Sequence, residues 1–216
     1  MDTVLIDYLA RWGHYLSGIT WIGLLYYFNF VQTEYFKEAD GGARTDAFVK
    51  LVPRALWWFR WGAMFTLLTG LVMLGIRGSG VTLDITIGAV LGTLMFLNVW
   101  LIIWPNQKIL ISSNEQVQSG GEALPEAAAA APKAGLASRT NTLFSIPMLF
   151  FMGSSAHFGH GGLNGNTTPL AIALVIVVVV QLNAIFGKPG PIASVNGVII
   201  GGFVMTAVLW AIVTFI

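Results

Sequence analysis

Six apolar runs, each long enough to cross a bilayer as a helix, constrain this chain more than any other feature. A hydrocarbon core of about 30 Å takes about 20 helical residues, and runs of that order fall at roughly 5–33, 54–78, 83–106, 140–160, 168–187 and 192–216. With 56% hydrophobic and 10% charged residues and a mean hydropathy of +0.75, the chain reads as an all-α integral membrane protein. The expected architecture is a six-transmembrane helix bundle, with residues 1–216 forming a single membrane domain. The first residues, with Asp2 and Asp7, lack the basic region and cleavage site of a removable signal peptide, and read as the start of the first span.

The connections set the orientation. Lys37, Arg44, Lys50, Arg54, Lys108, Lys133, Arg139 and Lys188 fall on one side if the spans alternate, against Arg11 and Arg77 on the other. Positive charge is retained on the cytoplasmic side of a membrane. The N- and C-termini are therefore expected on the outer, periplasmic side of a bacterial inner membrane. The stretch 112–138, with its Ala/Pro-rich run, reads as a flexible cytoplasmic loop between spans three and four. Trp57, Trp58 and Trp61 suit an inner interfacial belt, in which Arg60 meets aromatic faces and headgroups. Gly88 with Gly92, and Gly197 with Gly201, are small-residue pairs that let helices approach. The β-branched fifth span reads as peripheral and lipid-facing.

Chemistry is scarce in such a chain, so its histidines stand out. His14 on span one and His157 on span four lie toward the same face of the bilayer. An ionisable group in hydrocarbon is costly and usually points into a bundle. At about 1.5 Å per residue, His14 is expected about 10 Å in from the outer face and His157 about 5 Å. Span one carries a stripe at helical spacing, namely Asp7, Arg11, His14, Gly18, Trp21, Leu25 and Asn29. Gly18 lies one turn from His14, and Gly153 one turn from His157, leaving room for a flat ring. A b-type haem near the outer face, ligated by His14 and His157, with Arg11 on a propionate, is the expected site. His160 is the alternative ligand. Simple hydrogen bonding to a neighbouring helix is the plainer role open to each histidine.

Absences narrow the function. There is no cysteine, so disulfides, iron–sulfur clusters and covalent c-type haem are excluded. No basic stripe exists to bind nucleic acid. No carboxylate lies deep in a span, which argues against an ion-coupled transporter, and no H-E-x-x-H motif suggests a metallohydrolase. Asn29, Asn98 and Asn183 are expected to hydrogen-bond between helices, and Asp84 to complement the dipole at the start of span three.

The stretch from His14 to Phe30 (HYLSGITWIGLLYYFNF) resembles the first helix of the membrane-bound urate oxidase N-terminal domain family. The segments 54–62 (RALWWFRWG), 98–108 (NVWLIIWPNQK) and 141–150 (NTLFSIPMLF) are similar to that family too, while spans five and six share only its hydrophobic character. The resemblance implies a multi-span membrane domain and, in the characterised type, urate as electron donor and an outward cytochrome c domain after the last span. This chain ends at Ile216, without such a domain. Electrons would then pass to a separate cytochrome c or another membrane-complex subunit, and no urate-binding residue can be carried over.

The sequence therefore favours a membrane redox protein. A cofactor-free subunit packed in a larger respiratory or photosynthetic complex is the alternative. Urate oxidation with an external cytochrome c is a third reading.

Overall fold

A computed structural model describes residues 2–216, and among them no strand occurs. Helix α1 (Thr3–Tyr26) runs through a π-helical turn, Tyr27–Gln32, into α2 (Thr33–Glu38). A short helix, α3 (Gly41–Lys50), leads to α4 (Val52–Arg77). Next, α5 (Leu83–Leu97) passes through a second π-helical turn, Asn98–Ile103, into α6 (Trp104–Gln118). The bundle is completed by α7 (Ala127–His157), α8 (Thr168–Phe186) and α9 (Val195–Phe215).

Four helical stretches are long and apolar enough to cross a membrane: Val52–Gly80, Leu83–Gln118, Thr168–Phe186 and Val195–Phe215. The chain is a multi-pass membrane protein. The apolar runs 5–33 and 140–160 also fold as helices, but α1 and α7 carry more small and polar residues. The reason is position. Helix α7 lies at the centre, packed on α5, α6, α8, α9 and, more lightly, α1. Its Thr140, Asn141, Thr142, Ser145 and Ser154 are all buried against protein, not lipid. Small residues there permit close approach, as where Met148 and Met152 of α7 lie over Gly88 and Gly92 of α5. By contrast α8 turns Val175, Val178, Val179 and Leu182 outward, as its peripheral reading requires.

The expected loop at 112–138 is mostly helix. Helix α6 continues to Gln118 and α7 begins at Ala127, so only residues 119–126 link them. Alanine is the strongest helix former, and the run from Ala127 extends α7 well beyond its apolar part, with Pro132 in its early turns. Composition that reads as low complexity serves here as helix propensity.

Side-chain bonds define the two ends of the bundle. At one, Arg77 of α4 donates to Ser155 of α7 at 3.3 Å, and His160, just past α7, reaches both Asp84 at the start of α5 and Thr214 at the end of α9. At the other, Lys37, Lys133, Arg139 and Lys188 surround one cavity.

Candidate functional site

The stripe on α1 faces the bundle only along its second half. Trp21, Leu25 and Asn29 are buried, His14 and Gly18 are half-buried, and Arg11 is exposed. Tyr26 and Ser145 join α1 to α7 through a 2.9 Å hydrogen bond. Ser145 gives its own proton to the Thr142 carbonyl, so the tyrosine hydroxyl is the donor. The two helices run antiparallel from this bond. Counting back from Tyr26, His14 is twelve residues away and Gly18 eight; counting forward from Ser145, His157 is twelve away and Gly153 eight. Both histidines thus sit about 18 Å along their helices from the shared bond. The sequence estimate had separated them by a few ångströms.

His14 leans on α4. Its Nδ1 is 3.1 Å from Thr69 Oγ1, and the ring lies against Gly70, where a Cβ would come within 3.3 Å of it. Thr69 donates its hydroxyl proton to the backbone, to Phe65 at 2.7 Å and Thr66 at 3.1 Å. With that proton on the backbone, the threonine oxygen accepts from Nδ1, and Nε2 then presents an unshared pair with no partner among the described residues. A metal-binding histidine is typically held in this way, by a hydrogen bond at its other nitrogen. Gly18, one turn deeper, has nothing within 4 Å of the place a Cβ would occupy, and neither does Gly153.

The remaining expectations divide. His157 is exposed at the end of α7, and its ring bonds to no group among the described residues. His160 has neither nitrogen free, because Nδ1 faces both Asp84 carboxylate oxygens at 3.2 Å and Nε2 lies 3.0 Å from Thr214 Oγ1. In this arrangement, the ring that was the alternative ligand clasps α5 to α9. Arg11 is held by Asp7 on its own helix, at 2.6 and 3.1 Å, so its charge is already paired where a propionate contact was expected. Asp84 does more than complement a helix dipole. Its side chain is fully buried and accepts from Ser154 Oγ at 2.6 Å and the His160 backbone N–H at 2.6 Å, besides the His160 ring.

Toward the opposite end, each π-helical turn presents an asparagine to α7. Asn29 donates to Ser138 at 2.8 Å. Asn98 donates to Asn141 at 2.9 Å and Gln181 at 3.0 Å; Gln181 returns a bond at 2.7 Å, and Asn141 caps the Met95 carbonyl at 2.9 Å. Asn183, by contrast, bonds locally to the Lys188 carbonyl. Arg60 lies over the Trp104 ring, 3.4 Å from its centroid, as its aromatic neighbours led one to expect.

The urate oxidase N-terminal model matches residues 79–214. The chain belongs to the urate oxidase N-terminal family. No curated protein and no solved structure matches it. The matched stretch takes in α5 to α9, including the segments at 98–108 and 141–150 that carried the resemblance, and it extends over the last two helices. Within the family region lie Asp84, Gly153, His157 and His160; His14 and its partner Thr69 lie in the α1–α4 pair that precedes it.

Three contributors escaped the sequence reading. Thr69 gave no signal, since a lone threonine in a span is ordinary. Asp84 looked like a helix-start acid. Arg139 was counted only as a charge for orientation, yet it is one of the buried residues of α7.

Proposed function

We propose that the chain is the membrane subunit of a redox system of the urate oxidase type, a six-span bundle in which α1 and α7 join the four helices that are long and apolar enough to cross. It holds a b-type haem near the cation-poor end. The observation that carries this reading is His14: held through Nδ1 by Thr69, it leaves Nε2 free, as many residues from the Tyr26–Ser145 bond as His157 is on α7. Gly18 and Gly153, both unobstructed and each one turn deeper, fit a ring lying against the backbone. Bound there, a haem would supply one-electron transfer. The chain's own residues fix ring orientation, through Thr69 on His14, and exclude water with the apolar faces of α1 and α7. In this reading the cation-rich end is cytoplasmic and the haem end faces the periplasm of a bacterial inner membrane. Electrons leave there to a cytochrome c, with urate as the donor the family name suggests.

The test is a dithionite-reduced minus oxidised spectrum of the purified protein with a pyridine haemochrome assay. One b-type haem per chain is expected, lost in His14→Ala and in His157→Ala while the variants remain monodisperse. Urate-dependent reduction of added cytochrome c tests the donor separately. A colourless wild-type protein overturns the haem reading, and a cofactor-free subunit of a larger complex then takes its place.

A further inference from the structure

The opposite end of the bundle holds a cavity of about 830 Å³ between the two π-helical turns, α2, α4, α6, α7, the end of α8 and the 187–193 turn. Three of its lining side chains bury a polar atom with no partner: Gln32 Oε1, Gln107 Oε1 and Arg139 Nη1. Arg139 is only 7% exposed. Its nearest carboxylate, Glu34, stands 3.9 Å from Nη2 and is already bonded by Lys37 at 2.7 and 2.8 Å. A guanidinium is always charged, and leaving it buried without a hydrogen-bond acceptor costs several times more than a neutral group.

The rest of the lining points the same way. Lys133 and Lys188 are exposed around the mouth beside Lys37, whose charge Glu34 pairs, and no Asp or Glu lines the cavity. Cations at an opening with one buried behind them draw an anion inward. The walls are apolar, with Phe28 from the first π-helical turn facing Phe59 of α4 edge to face at 5.4 Å. π-Helical turns are frequent at functional sites, and both of those in this chain contribute to this lining.

We infer that this cavity is a binding site for an organic oxyanion, a carboxylate or phosphate on an apolar body, whose oxygens accept from Arg139 and whose body lies on Phe28 and Phe59. The glutamine amides, which can present either edge, complete its hydrogen bonds. The site is distinct from the haem position and independent of it. Two sources share this chemistry: a soluble anion from the adjoining aqueous phase, and the headgroup of an anionic phospholipid.

The experiment is thermal unfolding of the purified full chain at constant ionic strength, with chloride as the reference salt. Sodium benzoate and inorganic phosphate probe the soluble source. Nanodiscs of phosphatidylglycerol against phosphatidylcholine probe the lipid source. At least one probe is expected to raise the melting temperature in a saturable way. Arg139→Met weakens that binding by about tenfold or more, and Arg139→Lys restores part of it. Lys133→Met, at an exposed position where folding is not at stake, weakens it by about twofold at low salt and not at high salt. Benzoate or phosphate as the stabilising probe identifies a soluble ligand, and phosphatidylglycerol alone a lipid. The inference is overturned if no probe stabilises the protein beyond chloride, or if both Arg139→Met and Lys133→Met bind as wild type. Neither outcome bears on the spectrum, so this site and the haem fail or stand separately.

Discussion

Asp84 shows how much one side chain can hold in this protein. Its carboxylate collects a hydroxyl, a backbone N–H and an imidazole from α7 and the loop that follows it. Replacing it by alanine takes the acceptor from the His160 N–H and ring and leaves Ser154 only its 3.2 Å bond to the Phe151 carbonyl, at about 1–3 kcal/mol for each neutral donor left unpaired. Asp84→Ala is therefore expected to lower thermal stability strongly, by more than Thr214→Val, which removes only the outermost bond of the clasp; melting curves of both variants in detergent measure the difference. The sequence showed Asp84 but not its burial, because an acid at a helix start is ordinarily solvated. Arg139 was hidden for the matching reason, since a cation beside a long polar segment is read as part of a loop. Asn29 and Asn98 were legible. An amide inside an apolar run has few options beyond another helix, and both found α7.

At the level of elements, each apolar run coincides with all or part of a long helix, because a helix satisfies its own backbone hydrogen bonds where apolar surroundings offer no others. The two π-helical turns were not legible. Nothing in Tyr27–Gln32 or Asn98–Ile103 distinguishes them by composition; their widened bonds, such as Thr33 N–H to the Phe28 carbonyl and Trp104 N–H to the Val99 carbonyl, occur where both turns meet α7. Such a turn is an α-helix carrying one additional residue. Deleting the exposed Leu101 from the second turn should leave α5 and α6 in phase. Deleting Leu94, one turn ahead of it, rotates all that follows by about 100°. Expression and monodispersity of the two deletion variants provide the comparison, with the Leu101 deletion expected to be the better tolerated. The Ala/Pro-rich run makes a similar point, since a composition typical of linkers extends α7 wherever a neighbouring helix supports it.

For the whole molecule, charge distribution and hydrogen bonding agree on which helix ends lie together. Arg77, Asp84, His160 and Thr214 meet at one end, and the lysines gather at the other. The absence of cysteine makes orientation simple to read, because any introduced thiol is unique. With the lysine-rich end cytoplasmic, Gly165→Cys is expected to react with an impermeant maleimide in intact cells, and Lys133→Cys only after the membrane is opened. Labelling in the reverse order would invert the proposed topology and move the haem to the cytoplasmic face.

The clasp at His160 has a meaning beyond the bonds it makes. Through that single ring, the residue that opens the family region of the chain is joined to the residue that ends it: Asp84 near the start of 79–214, and Thr214 at its limit. Helix α1, by contrast, rests chiefly on α4, outside that region. Pinning the two ends of that stretch at one point closes it into a loop, so that α5 and α9 cannot part at this end without breaking the clasp. The α1–α4 pair, with His14 and Thr69, packs onto that stretch through one continuous core, and the proposed haem would bridge the two.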